Sequence, residues 1–343
     1  VSAAPPSLPA LNILGLAVVV PNGRLPIEQV FEQERYHVEQ QLSALTTPFR
    51  ARLLEGLGLS SIATFENHRS SDAAEEAARR ALSQAELDPA SLGLIIDYST
   101  LAVDSPRVWS LAHYLQGRLA ASKALAIGTR GSGCAGLHLA LLLAQNLLSA
   151  NSNLEYALLV AADRAPDGGR CCLPVSVMAD AASALVVCRA EQTKKRLGRV
   201  HAVVVHQQGT LADLLVVAPN PCRMHIDSSA FERKVLPLHF VMLHRLLSRA
   251  TKHAGIEAKR ITACVYPNTT ALDRMSIARG FELSETVLVG PGPRHLGHAF
   301  ANDLVINAEA LFSTTEKREP GISAWLAAGS GFTWGAAIIE VNC

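Results

Sequence analysis

At 343 residues, 49% hydrophobic and 18% charged, the chain is long enough to bury a large core or two packed halves. Its formal net charge of +1 gives no sign of the basic patch or stripe that marks nucleic-acid binding, although a few arginines suffice for a local basic mouth. No apolar run reads as a membrane span, since Leu137–Leu148 is short and carries His138, Gln145 and Asn146, and VSAAPPSLPALNILGL lacks the basic n-region of a signal peptide.

Along the chain, periodicity predicts a strand over Leu11–Val20, a helix over Ser71–Ala85, a strand over Leu92–Tyr98 and a helix over Pro106–Leu119. A strand at Lys123–Gly128 leads into a helix at Ala135–Leu148. Strands follow at Glu155–Ala162, Ala182–Arg189 and Gly198–Gln207. The segment Gln207–Arg233 breaks the pattern and reads as a long loop or cap, of the kind that serves as a lid or binding loop. Beyond it come helices at Pro237–Ala254, Ala271–Gly280 and Asp303–Phe312, with strands at Ile261–Tyr266, Thr286–Val289, Gly321–Ala328 and Gly335–Val341. Alternation of this kind argues for an α/β fold with helices layered on sheets.

The pattern repeats. A helix, SDAAEEAARRALSQAEL, precedes the strand passage DPASLGLIIDYST in the first half. PLHFVMLHRLLSRATKHAGI precedes EAKRITACVYPNTT in the second. ALAIGTRGSGCAGLHLALLLAQNLL then corresponds to TVLVGPGPRHLGHAFANDLVINAEALF, each a short strand, a glycine-containing loop and a helix. The chain therefore reads as two copies of one unit, divided at 1–190 and 191–343, each of ordinary domain size. Facing copies would bring corresponding loops together, and with them Cys134 and His298, which lie 298 − 134 = 164 positions apart.

Two motifs carry chemistry. In GSGCAGLHLALLLA, glycines flank Cys134 and an apolar helical run follows at once, which puts Cys134 at a helix N-terminus. The dipole and amides there favour a thiolate, and the glycines admit a tight turn and close approach of a carbonyl. The alternative is a small residue at a crowded turn. In AAGSGFTWGAAIIEV, Gly329, Ser330, Gly331 and Gly335 expose backbone N–H groups of the sort an oxyanion hole uses, or simply form a turn between two strands. The seven cysteines form no CxxC and show no metal-ligand spacing. Cys188 and Cys264 sit in apolar runs, and the adjacent Cys171 and Cys172 fit buried thiols better than a redox pair, so a reducing cytoplasm is expected.

GSGCAGLHLAL resembles the nucleophile elbow of β-ketoacyl-ACP synthase III and its relatives in the thiolase superfamily. AAGSGFTWGAAIIEV resembles that family's C-terminal glycine-rich signature. MADAASALVV, LNILGLAVVVPNGRLPIEQVF and GLGLSSIATFENHRSSDAAEEAARRAL extend the likeness over nearly the whole chain. The resemblance implies a five-layer αβαβα fold from two duplicated halves, a homodimer, and a substrate that is an acyl-CoA or a phosphopantetheine-linked acyl-ACP. It implies no bound cofactor and no metal.

The synthases carry Cys, His and Asn. The Cys maps to Cys134. The slot of the His holds Pro267, followed by Asn268, and the slot of the Asn holds His298. A swapped pair repairs this: His298 acts as base to Cys134 and Asn268 donates to an oxyanion. HAFANDLVIN resembles a branch that acylates oxygen or nitrogen in natural-product pathways, where Asp303 would orient His298; a helix N-cap is its other reading. The resemblance makes the N–H groups of Cys134 and Ser330 the oxyanion donors. His295 reads as a surface residue, His138 as a core one, and His239 and His244 receive no chemistry. The expected function is ping-pong acyl transfer through Cys134 in polyketide or other specialised metabolism, with a small-molecule or carrier-bound acceptor and C–C, ester or amide bond formation. The rivals are an ordinary initiating synthase III and a non-catalytic partner subunit that keeps the fold.

Overall fold

The computed structural model describes residues 9–66, 68–101, 110–193, 196–219, 222–282, 287–312 and 321–341. Among them, nine strands form the main sheet: β1 (Leu11–Val19), β2 (Leu92–Asp97), β3 (Leu125–Gly128), β4 (Tyr156–Asp163), β5 (Ala181–Arg189), β6 (Gly198–Gln207), β7 (Ile261–Val265), β8 (Gly321–Gly329) and β9 (Thr333–Val341). β2, β4 and β5 are near-continuous runs of Leu, Ile, Val and Ala, buried at almost every position because both faces are covered.

The spatial order is β7-β8-β9-β6-β1-β5-β4-β2-β3. In the first half β2 runs parallel to β3 and β4, and β5 runs antiparallel to β4 and β1. The second half has the same plan: β7 is parallel to β8, and β9 is antiparallel to β8 and β6. The counterpart of β3, expected as a strand over Thr286–Val289, is reduced to one parallel bridge between Cys264 and Leu288; position 286 lies outside the described residues. β1 and β6 pair antiparallel from Leu11–Val200 to Ile13–Gly198 and join the halves.

Six helices complete the layers: α1 (Ser70–Gln84), α2 (Leu111–Arg118), α3 (Gly136–Ala150), α4 (Leu236–Ala254), α5 (Ala271–Gly280) and α6 (Asp303–Phe312). Leu141 of α3 and Leu304 of α6 share one core with Leu159, Leu185, Trp325 and Ile339 from both sheet halves, so α3 and α6 are the middle layer. Ala77 of α1 and Leu115 of α2 cover the outer face at Ile95 and Val186. Leu246 of α4 and Ile277 of α5 cover the other outer face at Leu326 and Ile338. The result is the αβαβα stack. By length and composition Gly133–Ala150 is apolar enough to cross a membrane, but 56% of it is buried and it forms this middle layer.

Three further segments differ from expectation. Helices at Ile27–Gln33, Arg35–Ser43 and Thr47–Glu55 were not legible: buried polar residues, Glu34 between the first two and His37 and Gln41 in the second, break the apolar period, and the third buries only Leu53. The polar residues serve backbone groups: Glu34 accepts from the N–H groups of Arg170 and Cys171, and Gln41 bonds Cys171 O and Leu173 N. The expected loop Gln207–Arg233 contains a hairpin, Leu215–Pro219 with Cys222–Ile226. The helix expected from Pro106 is described from Leu111, and 102–109 lie outside the described residues.

Candidate active site

β3 ends at Gly128 and the chain turns through Gly131 (φ +103°) and Gly133 (φ +51°) into a 3-10 turn, Gly133–Ala135, that opens α3. Cys134 sits in that turn, partly exposed, at the N-terminus of the middle-layer helix. The turn between β8 and β9 packs against it backbone to backbone. A Cβ on Gly329 would lie 2.4 Å from Cys134 N, and one on Gly133 would lie 2.4 Å from Ser330 N. The two glycine-rich motifs are therefore one structure, and the amide groups of Cys134 and Ser330 meet where it closes.

Cys134 Sγ lies 3.0 Å from His298 Nε2. His298 Nδ1 lies 2.5 Å from Asp303 Oδ2 and donates to it. His298 is 1% exposed and Asp303 0%. The imidazole is held from behind: its backbone N–H donates to Val177 O at 3.0 Å, and Ala179 N–H donates to its carbonyl at 2.9 Å. Asp303, the first residue of α6, accepts from Ala299 N at 2.8 Å and from Asn268 N at 2.6 Å. It thus ties two loops to the imidazole and does not cap the first turn of its own helix. Burial opposes a charge on His298, but Cys134, Asp303 and their hydrogen bonds outweigh it and lift its pKa well above the ordinary imidazole value. A thiol, an imidazole and a carboxylate in series can hold a thiolate–imidazolium pair and pass one proton to and fro.

Asn268 is placed otherwise than expected. Its side chain is fully buried, with Oδ1 accepting from Asn307 Nδ2 at 2.9 Å and lying 3.5 Å from Arg274 Nη1. It is absent from the cavity wall, which Pro267 and Thr269 form on either side of it. Asn268 reaches the relay through its backbone N–H, and its side-chain Nδ2 is a buried donor with no hydrogen-bond partner among the described residues. His138 is fully buried, donates from Nε2 to Trp325 O at 2.9 Å, and burial pushes its pKa down to about 4, as a neutral core histidine. His295 is exposed, and His244 bonds Gly280 O at 2.8 Å. Cys171, Cys172, Cys188 and Cys264 are buried free thiols whose pKa values burial pushes up. Among the described residues no three His, Cys, Asp or Glu side chains converge as a metal site.

A support beneath Asp303 carried no sequence signal. Asn302 donates to Asp163 Oδ2 at 3.1 Å and to Ala299 O, and accepts from Ser183 Oγ at 2.7 Å. Asp163 is fully buried, and burial, with Asp97 nearby, pushes its pKa from 3.8 up to about 8. In the unfolded chain this group loses its proton near its ordinary pKa, while the folded chain keeps it. Its contribution therefore falls as pH rises through the window from about 4 to about 8, by at most roughly 1.4 kcal/mol per pH unit. Asp163→Asn is expected to flatten the decline of melting temperature between pH 5 and pH 8. An unchanged slope would show that Asp163 ionises normally.

Cys134, His298 and Ser330 open into one cavity of about 340 Å³, bounded by the helix Thr47–Glu55, the hairpin at Leu215 and Met224, and the start of α4. Sequence reading missed Tyr266, Asp273 and Arg52 on its wall, and gave His239 no role.

No protein-family model matches the chain, and no curated protein matches its sequence. Solved structures match its fold along nearly its whole length. The acyltransferase ChlB3 is 23% identical with a TM-score of 0.79, over 97% of this chain and 98% of that one. The 3-oxoacyl-[acyl-carrier-protein] synthase III of Aquifex aeolicus is 18% identical with a TM-score of 0.78, over 96% and 99%. A variant of OleA from Xanthomonas campestris, crystallised with lauric acid and lauroyl-CoA, is 18% identical with a TM-score of 0.79, over 97% and 99%. The chain has the thiolase-like fold of the synthase III type.

Proposed function

We propose that this protein is an acyltransferase that takes an acyl group from an acyl-CoA or acyl-ACP thioester onto Cys134 and passes it to an oxygen or nitrogen nucleophile. The observation that carries this is the relay of Cys134, His298 and Asp303 at 3.0 and 2.5 Å. Cys134 thiolate attacks the thioester carbonyl. The amides of Cys134 and Ser330 receive the oxyanion, and the donor thiol leaves with the proton held on His298. His298, now neutral and fixed by Asp303, takes the proton of the acceptor as it attacks the acyl-enzyme. The fold likeness to an acyltransferase supports this reading.

Condensation is disfavoured on two counts. Pro267 offers no donor where the synthases hold a His, and the Asn268 side chain, whose Oδ1 accepts from Asn307, lies off the cavity wall. Malonyl-CoA labelled in its free carboxyl group, added to the acylated protein, is expected to release no CO2 above a Cys134→Ala control. Release above that control would move the assignment to C–C bond formation. A homodimer belongs to the same proposal, because β3 lies at one end of the sheet with Leu125 50% exposed, and edge-to-edge pairing about a two-fold axis would cover it.

A further inference from the structure

The cavity holds a second hydrogen-bonded cluster, which the transfer chemistry leaves unused. Tyr266 OH donates to Asp273 Oδ2 at 2.7 Å, and Thr269 Oγ1 donates to the same oxygen at 2.6 Å. His239 Nε2 lies 2.9 Å from the Tyr266 oxygen. Burial, with Asp273 beside it, holds the Tyr266 phenol well above its ordinary pKa, so it keeps its single proton and gives it to Asp273. His239 Nε2 must then be the donor in its own bond. Burial lowers the His239 pKa, so the ring is neutral and Nδ1 carries a lone pair. Asp273 Oδ1 and His239 Nδ1 have no protein partner among the described residues. Both are acceptors.

The surrounding wall is aromatic. Five of the chain's nine phenylalanines line this one cavity: Phe49, Phe231, Phe240, Phe300 and Phe332. A few polar groups in an apolar pocket fix the orientation of a ligand, and burying them without such a use costs stability. The thioester carbonyl is served by the backbone amides and the attacking nucleophile by His298. The cluster is left for one further polar group.

We infer that His239, Tyr266 and Asp273 form an acceptor-selecting subsite, and that the acceptor is an aromatic or otherwise apolar molecule with two hydroxyl or amino groups, one acylated and the other donating to this cluster. The inference rests on the transfer reading above. The pantetheine arm of the donor, which also carries N–H and O–H groups, is the competing source of the same chemistry.

The test uses two probes, 1-phenyl-1,2-ethanediol and 2-phenylethanol, titrated calorimetrically into the full chain. The diol is expected to bind about tenfold more tightly, the worth of one hydrogen bond to a charged acceptor. Tyr266→Phe keeps the ring packing and, with His239→Phe and Asp273→Asn, is expected to reduce that preference to less than about threefold. Equal affinity for both probes, or a preference that survives in all three variants, would overturn the inference. So would slowed acylation of Cys134 by acyl-CoA in Tyr266→Phe with the diol preference intact, since that assigns the cluster to the donor arm. Failure of every acyl-CoA to label Cys134 in the unaltered protein overturns the transfer reading instead, and the probe titration registers the two failures separately.

Discussion

His298→Ala is expected to slow acylation of Cys134 by on the order of 10²–10⁴, the usual weight of a positioned general base. The imidazole is the only group within hydrogen-bond reach of the sulfur among the described residues, at 3.0 Å. Its removal also strands Asp303, which is 0% exposed and would keep its backbone bonds to Ala299 and Asn268 but lose its charged partner. Lost stability and lost catalysis must therefore be separated. His298→Gln keeps an N–H for Asp303 and is expected to melt closer to the unaltered protein while acylating as slowly as the alanine variant. Added imidazole is expected to restore part of the rate in His298→Ala. Full activity in the glutamine variant would show that His298 is a structural residue, and that the thiol needs no base.

The second large effect is expected at Gly329. Alanine there would set its Cβ 2.3 Å from Ser132 O and 2.4 Å from Cys134 N. Those are backbone atoms, so the contact is relieved only if the two turns part. Overpacking of this kind costs about 1–3 kcal/mol. Parting the turns also moves the Ser330 amide away from that of Cys134, and loss of one oxyanion donor lowers turnover by about 10²–10³. The variant is expected to melt lower and to acylate slowly even where it is fully folded, as judged by circular dichroism at a temperature well below its melting point. An unchanged rate would refute the joint role of the two turns.

These sites differ in how far the sequence disclosed them. Cys134 and the Gly329–Gly331 turn were legible because a positive φ and a 2.4 Å backbone approach admit only glycine, and glycines are visible in a sequence. His298 was legible through the internal repeat, which the strand order of the two halves reproduces. Asp303 was legible as a residue but not as a contact, since the same Asp serves a helix start or an imidazole. The surroundings of the Asn268 side chain were not legible, because sequence fixes neither the direction of a loop side chain nor the presence of Asn307 beside it. The helices between 27 and 55 escaped detection for a related reason. Buried Glu34, between the first two, and His37 and Gln41, in the second, bind backbone groups of distant segments, which inverts the polar-outside pattern on which periodicity depends, and the third buries only Leu53. The His239, Tyr266 and Asp273 cluster draws on two helices and a strand end, and no local spacing announces it.

The proposed transfer requires a covalent acyl-enzyme on Cys134. Intact-protein mass spectrometry after incubation with a panel of acyl-CoAs and acyl carrier proteins tests it most directly, with Cys134→Ala as control. A mass increase equal to one acyl group is expected for at least one donor, abolished in the alanine variant. No increase with any donor, in folded protein whose Cys134 thiol still reacts with an alkylating reagent, would contradict it and favour a partner subunit that keeps the fold without the chemistry.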